Sequence, residues 1–318
     1  MDAMERVGRT GRMDAGDVAA LRADIYATGA ITDEGLASLV AVLDAAPDGA
    51  KEWRWLVREA FEDYFLHHTP PRDHVSPKGE AMLLEITAPN NRPNRLRTHA
   101  LVHVLDRCVA APEALADRAM ALIEADVLGD HRICAVDVKD LRHLLHARGS
   151  FNGAGICRRE ADFLFDLNDH VGAKADPAWF DLFSKAIANH LMCGAGWRAP
   201  GRADALRQER FMADASVSVG GFMRRMAAVG GLGSLAPLDA IRSLGERDRD
   251  CHWRRLNRAR AERGAGADAI TAEAGEWLAS RIARNGRFCD AERAMIAYVR
   301  GLAGVDLPAV MEPYLLAA

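Results

Sequence analysis

The chain has 318 residues, of which 49% are hydrophobic, so it is long enough for about two domains with buried cores. Its formal net charge of −4 excludes a polycation that binds nucleic acid over its whole surface. Alanine and leucine are frequent while aromatic residues make up only 6%, which favours helices over strands.

The six cysteines include no C-x-x-C pair, and residues 1–12 carry no apolar signal segment. No apolar run approaches about 18 residues, so we expect no membrane-spanning helix. We therefore expect a cytoplasmic protein with reduced thiols, most of them packed as small apolar groups.

The first half predicts a helical unit over residues 14–126. Its first helix carries the motif Asp-Val-x-x-Leu-Arg at residues 17–22 and ends in Ala27-x-Gly29, and Ile31 then leads into a second helix. A later helix carries three apolar side chains whose spacings of 3 and 4 place them on one face: Trp53, Leu56 and Ala60.

The same features return in the second half. The motif Asp-Val-x-x-Leu-Arg recurs at residues 137–142, and its helix again ends in Ala147-x-Gly149. Four further positions match in order: Ile156 with Ile31, Trp179 with Trp53, Leu182 with Leu56, and Ala186 with Ala60. After a gap, residues 75–86 resemble residues 270–282.

Helix starts are marked by capping side chains. Asp176 before Pro177 predicts a helix that begins at the proline, because Asp accepts hydrogen bonds from free N–H groups and Pro fits the first helical position. Four other N-caps are predicted: Thr32, Ser76, Thr271 and Asp290.

These matches predict an all-α fold made of two tandem, duplicated helical bundle units. The first unit covers residues 14–126, and the second covers residues 134–192 and 269–318. A long basic insertion at residues 193–268 interrupts the second unit. We expect four to six helices in each unit.

Helix ends in Ala-x-Gly, the short turn to Ile, the capped acidic helix start at residues 31–34 and the later tryptophan-bearing helix resemble the tellurite-resistance TerB-like all-α family. Thr28 and Arg148 stand where the family's turn usually carries an Asp, so acidic ligand roles do not transfer to this turn. The resemblance implies a non-enzymatic role in stress response, through metal contact or protein scaffolding, and carries over no catalytic residue.

An acidic face in the second unit is the candidate metal site. Asp162, Asp166 and Asp169 are spaced i, i+4 and i+7, with His170 beside them, so their oxygens share one helix face. Such a face is able to bind a hard divalent cation if a facing helix adds ligands. In the first unit Ala37 and Ala41 stand at two of the aligned positions and only Asp44 remains, so this site would belong to the second unit alone. The alternative is a solvated acidic surface.

Histidine pairs offer a weaker signal for a metal. His99 and His103 are spaced i, i+4, and His143 and His146 are spaced i, i+3. No third ligand lies near either pair in the sequence. Ordinary surface or half-buried histidines are therefore the alternative, and a site between the two units remains open.

Motifs for catalysis are missing from the sequence. It contains no G-x-S-x-G elbow, no H-E-x-x-H pattern and no phosphate-binding loop, so we expect a protein that is not an enzyme. Glu59, Glu62 and Asp63 cluster on one predicted helix. Lys51 and Arg58 lie nearby, and we expect these carboxylates to form surface ion pairs.

The insertion differs in charge from the rest of the chain. Residues 193–268 hold fourteen arginines, no lysine and nine acidic residues, a net charge of +5. A predicted helical stretch within it carries Arg254, Arg255 and Arg258, with Trp253 as an apolar anchor. Arginine suits paired hydrogen bonds with carboxylate or phosphate, so three occupants remain open: this chain's own acidic surface, an acidic protein partner, and phosphate in nucleic acid or an anionic membrane.

The preferred hypothesis is a non-enzymatic binding or scaffold protein that recruits a partner through the basic insertion. One alternative is a stress protein that binds a divalent metal ion at Asp162, Asp166, Asp169 and His170. A further alternative is nucleic-acid binding through the arginines of the insertion, which would weaken steeply with salt.

Overall fold

The computed structural model describes most of the chain outside the predicted insertion, namely residues 11–88, 94–152, 155–171, 174–192, 270–302 and 308–317, with the single residues 202, 203, 206 and 210. In these ranges the chain is helical apart from one pair of two-residue parallel strands, so the predicted all-α class is confirmed. Among the helices described, none is both long and apolar enough to cross a membrane.

Most of the described helices are joined by short turns, whereas residues 193–271 separate the helix that ends at Met192 from the one that begins at Ala272. Those of the first half, with the strand pair, are β1 Arg12–Met13, α1 Ala15–Ile25, α2 Asp33–Ala45, β2 Asp48–Gly49, α3 Lys51–Glu62, α4 Pro77–Ile86, α5 Arg95–Arg107 and α6 Glu113–Asp130. Those of the second half are α7 Ala135–Asn152, α8 Arg158–Val171, α9 Pro177–Met192, α10 Ala272–Ala283, α11 Asp290–Gly301 and α12 Glu312–Ala317. A π-helical turn, Asp63–His67, extends α3, and a 3₁₀ turn, Ala309–Met311, precedes α12.

Capping side chains begin the helices as the sequence predicts. Asp176 accepts a hydrogen bond from the backbone N–H of Ala178 at 2.8 Å, and Pro177 is the first residue of α9. Three other predicted N-caps each accept a hydrogen bond from the backbone N–H three residues on: Thr32, Ser76 and Thr271. These helix starts are therefore set by local chemistry.

The predicted N-cap at Asp290 is wrong by one residue. Asp290 is the first residue of α11, and Cys289 is the N-cap. The side chain of Glu292 accepts a hydrogen bond from the backbone N–H of Cys289 at 2.8 Å, which satisfies a group that the helix leaves free. Glu160 accepts a bond of the same kind from the backbone N–H of Cys157 at 2.7 Å.

A short parallel backbone contact occurs once in each half. Met13 pairs with Gly49, and Ile133 pairs with Ala175. The N–H of Ala50, next to Gly49, donates to the carbonyl of Met13 at 2.9 Å. The N–H of Asp176, next to Ala175, donates to the carbonyl of Ile133 at the same distance. The first contact lies directly before α1 and α3, and the second lies directly before α7 and α9. Each contact therefore holds two helix starts side by side.

A tryptophan fills the centre of each half. Trp53 on α3 and Trp179 on α9 are both fully buried. The indole N–H of Trp53 donates to the carbonyl of Ala46 at 3.1 Å, and that of Trp179 donates to the side chain of Asn168 at the same distance. These bonds satisfy a donor that would be costly to bury alone. Helix α3 packs against α5, and α9 packs against α11.

One hydrophobic core runs through both halves. Helix α5 packs not only against α3 but also against α7, and α6 packs against α7 and α8. The buried apolar side chains from Met13 to Met311 form a single connected cluster. The predicted units are therefore not separated by a solvent-filled boundary.

Helix α10, which follows the insertion, returns to the helices that precede it. The Trp277 ring lies edge-on to Phe165 of α8, with centroids 5.7 Å apart, and to His190 of α9, with centroids 4.7 Å apart. The imidazole of His190 also bonds through Nδ1 to the carbonyl of Ile156 at 2.8 Å. The helices on the two sides of the predicted insertion therefore pack against each other. Below we call the described helices α1 to α12 the framework, and we call this packing its closure across the insertion.

The buried position of His190 predicts a loss of stability in acid. Burial lowers the pKa of His190 below its ordinary value of 6.5, and the nearby Arg158 lowers it further. Because the folded pKa lies below the unfolded one, the unfolded chain binds more protons as pH falls through about 6.5, and acid favours unfolding. Urea unfolding at about pH 7.5 and about pH 5.5 should show this loss. In His190→Gln the pH dependence should be smaller, and an unchanged dependence would contradict the assignment.

The parallel contact at Gly49 predicts a steric effect. A Cβ atom at Gly49 would lie 2.8 Å from Cδ1 of the buried Trp53 and 3.0 Å from the carbonyl oxygen of Met13. We expect Gly49→Ala to lower the free energy of unfolding by about 1–3 kcal/mol. The control is Gly129→Ala in α6, where a Cβ atom meets nothing within 4 Å, and a gain of about 0.5–1 kcal/mol is expected. Equal stability of the two variants in urea would refute the steric account.

Candidate functional site

The predicted metal face of α8 lies against α10. Asp162 accepts hydrogen bonds from the indole N–H of Trp277 at 2.9 Å and from the guanidinium of Arg281 at 2.7 Å. Asp166 lies 3.1 Å from Arg281 and also pairs with Arg284. The side chain of Arg281 is only 15% exposed, so its bonds to the carboxylates are partly shielded from water.

Asp169 and His170 have partners of their own. Asp169 accepts a hydrogen bond from the side-chain amide of Asn285 at 2.6 Å, and burial raises its pKa above the ordinary value. Nδ1 of His170 lies 2.6 Å from the carbonyl oxygen of Asp166. Among the residues described, no group of three or more His, Cys, Asp or Glu side chains is arranged to hold a metal ion. This face joins α8 to α10, and metal binding there stays a prediction.

The predicted histidine pairs contact carboxylates on neighbouring helices. His99 faces Asp140 at 2.5 Å, His103 faces Glu62 at 2.7 Å, and His143 and His146 face Asp106 at 2.9 Å and 3.2 Å. Burial lowers the pKa of His103 despite its bond to the carboxylate. The two histidines of α5 thus face carboxylates on different helices, α7 and α3. These contacts hold α5 between its neighbours.

The carboxylates of α3 form pairs, but not with the expected cations. Glu59 accepts a hydrogen bond from Arg22 at 2.7 Å, Glu62 faces His103, and Asp63 accepts one from the hydroxyl of Tyr26 at 2.7 Å. In the described ranges, Lys51 and Arg58 form no ion pair with them or with any other carboxylate. The expected partners were wrong because α1 and α5 supply closer ones.

The described thiols are shielded from water to different degrees. Burial raises the pKa of Cys108 to about 12, and burial also raises the pKa values of Cys157 and Cys289. These three side chains are therefore protonated near neutral pH and are poor nucleophiles. Of the four described cysteines only Cys108 is buried, so packing as a small apolar group is seen for Cys108 alone.

A cleft of about 260 Å³ lies where α3, α5 and α7 meet. Two apolar side chains on its wall are open to solvent: Trp55 of α3 is 54% exposed, and Val136 of α7 is 47% exposed. Four cations line the same cleft, namely Lys51, Arg54, Arg58 and Lys139. Below we call it the basic cleft.

The charges of the basic cleft are largely unopposed. None of its four cations forms an ion pair within the described part of the chain. The ammonium of Lys51 instead lies 4.3 Å from the centroid of the Trp55 ring, a cation–π contact. The one carboxylate on the wall, Asp140, faces Nδ1 of His99 at 2.5 Å. The cleft therefore presents positive charge beside an exposed indole ring.

Sequence reasoning missed the basic cleft, although a local signal was present. Lys51, Arg54, Trp55 and Arg58 follow the spacing i, i+3, i+4 and i+7, which places one apolar ring on a cationic helix face. The buried Trp53 lies only two positions from Trp55 and points to the core. The two tryptophans of α3 thus lie on opposite sides of the helix, and only Trp53 was assigned a role.

The partner-binding residues predicted in the insertion, Trp253, Arg254, Arg255 and Arg258, lie outside the described residues. Comparisons with protein-family models, with curated protein sequences and with solved structures found no match to this chain. The resemblance to the TerB-like family therefore stays a prediction.

The contacts of Asp162 predict a structural role that is independent of metal. Asp162→Asn removes the charge that faces Arg281, so we expect the free energy of unfolding to fall by about 1–3 kcal/mol in the presence of chelator. The control is Asp290→Asn, which removes an exposed pair with Arg293 and should change little.

Thermal unfolding with a series of divalent metals separates this role from the metal hypothesis. A ligand that prefers the folded state raises its stability, by about 2.7 kcal/mol at a hundredfold excess over the dissociation constant. Stabilisation by one metal that disappears in Asp166→Asn would support the metal site. With the structural role alone, no metal changes the unfolding temperature.

Proposed function

We propose that this protein is a non-enzymatic binding or scaffold protein. Two related helical units form its platform, and the basic insertion at residues 193–268 recruits a partner. The resemblance to the TerB-like family supports a role of this kind in stress response. The single observation that carries the proposal is the closure of the framework across the insertion.

The repeated contacts support a tandem duplication of one unit. Each half has a parallel backbone contact before its first and third helices, a fully buried tryptophan on the third helix, and a later helix that packs on the tryptophan-bearing one. The equivalent N-caps Ser76 and Thr271 begin α4 and α10 at matching places in the two halves. Unrelated helical pairs have no reason to share this order of contacts.

The closure across the insertion supports an accessory role for residues 193–268. Helix α9 ends at Met192, and α10 begins at Ala272. Trp277 of α10 contacts His190 of α9, so the chain on both sides of the insertion belongs to one packed framework. The segment is therefore joined to the framework at both of its ends, and within it the guanidinium of Arg202 donates a hydrogen bond to the carbonyl of Pro70 at 3.0 Å.

The charge of the insertion supports an anionic partner. Its net charge of +5 contrasts with −9 for the remaining chain, because the whole chain carries −4. Opposite charge across an interface steers association and selects the partner. We favour an acidic protein, although arginine forms paired hydrogen bonds with carboxylate and phosphate alike. A nucleic acid and an anionic membrane are outcomes that the following experiment distinguishes.

Excision of the insertion tests the proposal. Residues 193–268 are replaced by about eight Gly and Ser residues, which span roughly 16 Å as a flexible chain. We expect thermal unfolding to shift by less than about 3 °C, since the core lies elsewhere. Partners captured by the full chain in its native cells should be lost with the excised variant. If no captured partner depends on residues 193–268, recruitment through the insertion is wrong.

A matched variant identifies the type of partner. Replacing Arg254, Arg255 and Arg258 by Gln keeps the length of the insertion and removes three charges. Loss of a captured protein with this variant supports charge-directed protein binding. Nuclease-sensitive capture with a steep decrease between low and moderate salt would point to nucleic acid instead. Capture only on vesicles with anionic headgroups would point to a membrane.

A further inference from the structure

We propose that the basic cleft is a docking site for a short acidic segment of a partner protein. The segment places an apolar side chain against Trp55 and Val136 and its carboxylates against the four cations of the cleft. This site lies wholly in the described framework, between α3, α5 and α7, and does not depend on the insertion.

The apolar part of the argument rests on two side chains that share one cleft. In the described ranges only five large apolar residues are exposed: Trp55, Val136, Tyr298, Val310 and Leu316. Trp55 and Val136 lie on different helices, yet both line the basic cleft. A single exposed apolar residue is ordinary, whereas two that converge in a concavity form an anchor site. Tryptophan and arginine are also the residues that contribute most often to interface hot spots.

The electrostatic part rests on cations without partners. Other arginines of the framework are paired, for example Arg22 with Glu59 and Arg281 with Asp162. The four cations of the cleft form no ion pair within the described residues, and Asp140 faces His99 instead of a cleft cation. Binding a carboxylate here therefore breaks no existing ion pair in the framework. Arg54 and Arg58 are one turn apart on α3, so a segment with two acidic side chains matches their spacing.

The surroundings of the cleft favour a short peptide over a nucleic acid. Arg95, the neighbour of the lining residue Leu96, is held by Asp130 at 2.5 Å and by Asp137 at 3.9 Å. Because Arg95 is already paired, the positive area is limited to the four cations of the cleft. A peptide with two or three carboxylates matches this small area better than a long phosphate backbone does.

The volume and the positive charge of the cleft further limit what it can bind. A volume of about 260 Å³ lies below the roughly 300–1,000 Å³ of typical small-molecule pockets, so it accommodates one or two side chains and not a whole cofactor. Residues 193–268 of the same chain carry net positive charge and would be repelled. The net charge of that segment opposes binding in the cleft, so the occupant that we propose is a segment of another molecule.

Selection from a peptide library tests the proposal with the full chain. A displayed library of random peptides of about twelve residues is panned against the wild-type protein. It is counter-selected against Trp55→Ala and Arg54→Glu. We expect enriched peptides to combine two or more Asp or Glu residues with a Phe, Leu or Trp. No enrichment that depends on these two residues, or enrichment without acidic residues, would overturn the docking site.

Affinity measurements on a selected peptide then check each part of the site. By fluorescence polarisation we expect at least about tenfold weaker binding for Trp55→Ala and for Arg54→Glu. The matched controls are Tyr298→Ala and Arg300→Glu, exposed residues of α11 outside the cleft, which should bind as the wild type does. Circular dichroism and thermal unfolding of each variant separate lost binding from lost folding. Equal loss in the α11 controls would refute the assignment to the cleft.

Two further measurements decide the alternatives. The variant that lacks residues 193–268 should bind the peptide unchanged, so this result is independent of partner recruitment by the insertion. A single-stranded oligonucleotide of equal charge should bind more weakly than the peptide at moderate salt. Tighter binding of the oligonucleotide that is also lost in Trp55→Ala would replace the acidic peptide by nucleic acid as the occupant.

Discussion

The contact of α10 with Asp162 is the constraint on which the second half of the framework depends. Trp277 and Arg281 lie 115 and 119 residues after the carboxylate that binds them. This carboxylate is only 32% exposed, so the pair is better shielded from water and salt than an ordinary surface salt bridge. The contact also places Trp277 against Phe165 and His190, and it thereby fixes where the chain resumes after the insertion. An insertion is tolerated because loop-closure entropy grows only slowly with loop length.

Both halves bury a tryptophan, but the hydrogen bond that satisfies its indole N–H differs between them. Trp53 donates to the carbonyl of Ala46, whereas Trp179 donates to the side chain of Asn168. In the second half Asn168 also bonds to the thiol of Cys289, and so joins α8, α9 and the start of α11. A duplicated unit can diverge in this way because each change leaves the indole N–H satisfied.

The parts of the fold that local chemistry determines could be predicted from the sequence. Caps such as Thr32 and apolar faces such as that of Trp53 depend on neighbours within four residues. The pairing of Met13 with Gly49 could not be predicted, because a two-residue contact has no alternating pattern. The acidic face of α8 could be predicted, but its contacts with α10 could not, because Trp277 and Arg281 lie more than a hundred residues further along the chain. The spacing of the cleft residues on α3 can be recognised in the sequence. The exposure of Trp55 could not be predicted, because it depends on where α5 and α7 lie.

The basic cleft and the basic insertion have the same sign, although the chain as a whole is acidic. A patch of unpaired cations is unremarkable when solvated, and so is one exposed tryptophan. In the basic cleft the unpaired cations and the exposed tryptophan lie together between three helices. The cleft therefore favours a ligand that carries both acidic and apolar side chains. If one acidic partner contacts the insertion and the cleft together, the second contact forms at a high effective concentration. A shallow cleft of about 260 Å³ can then contribute specificity without binding tightly alone, because the first contact already supplies affinity.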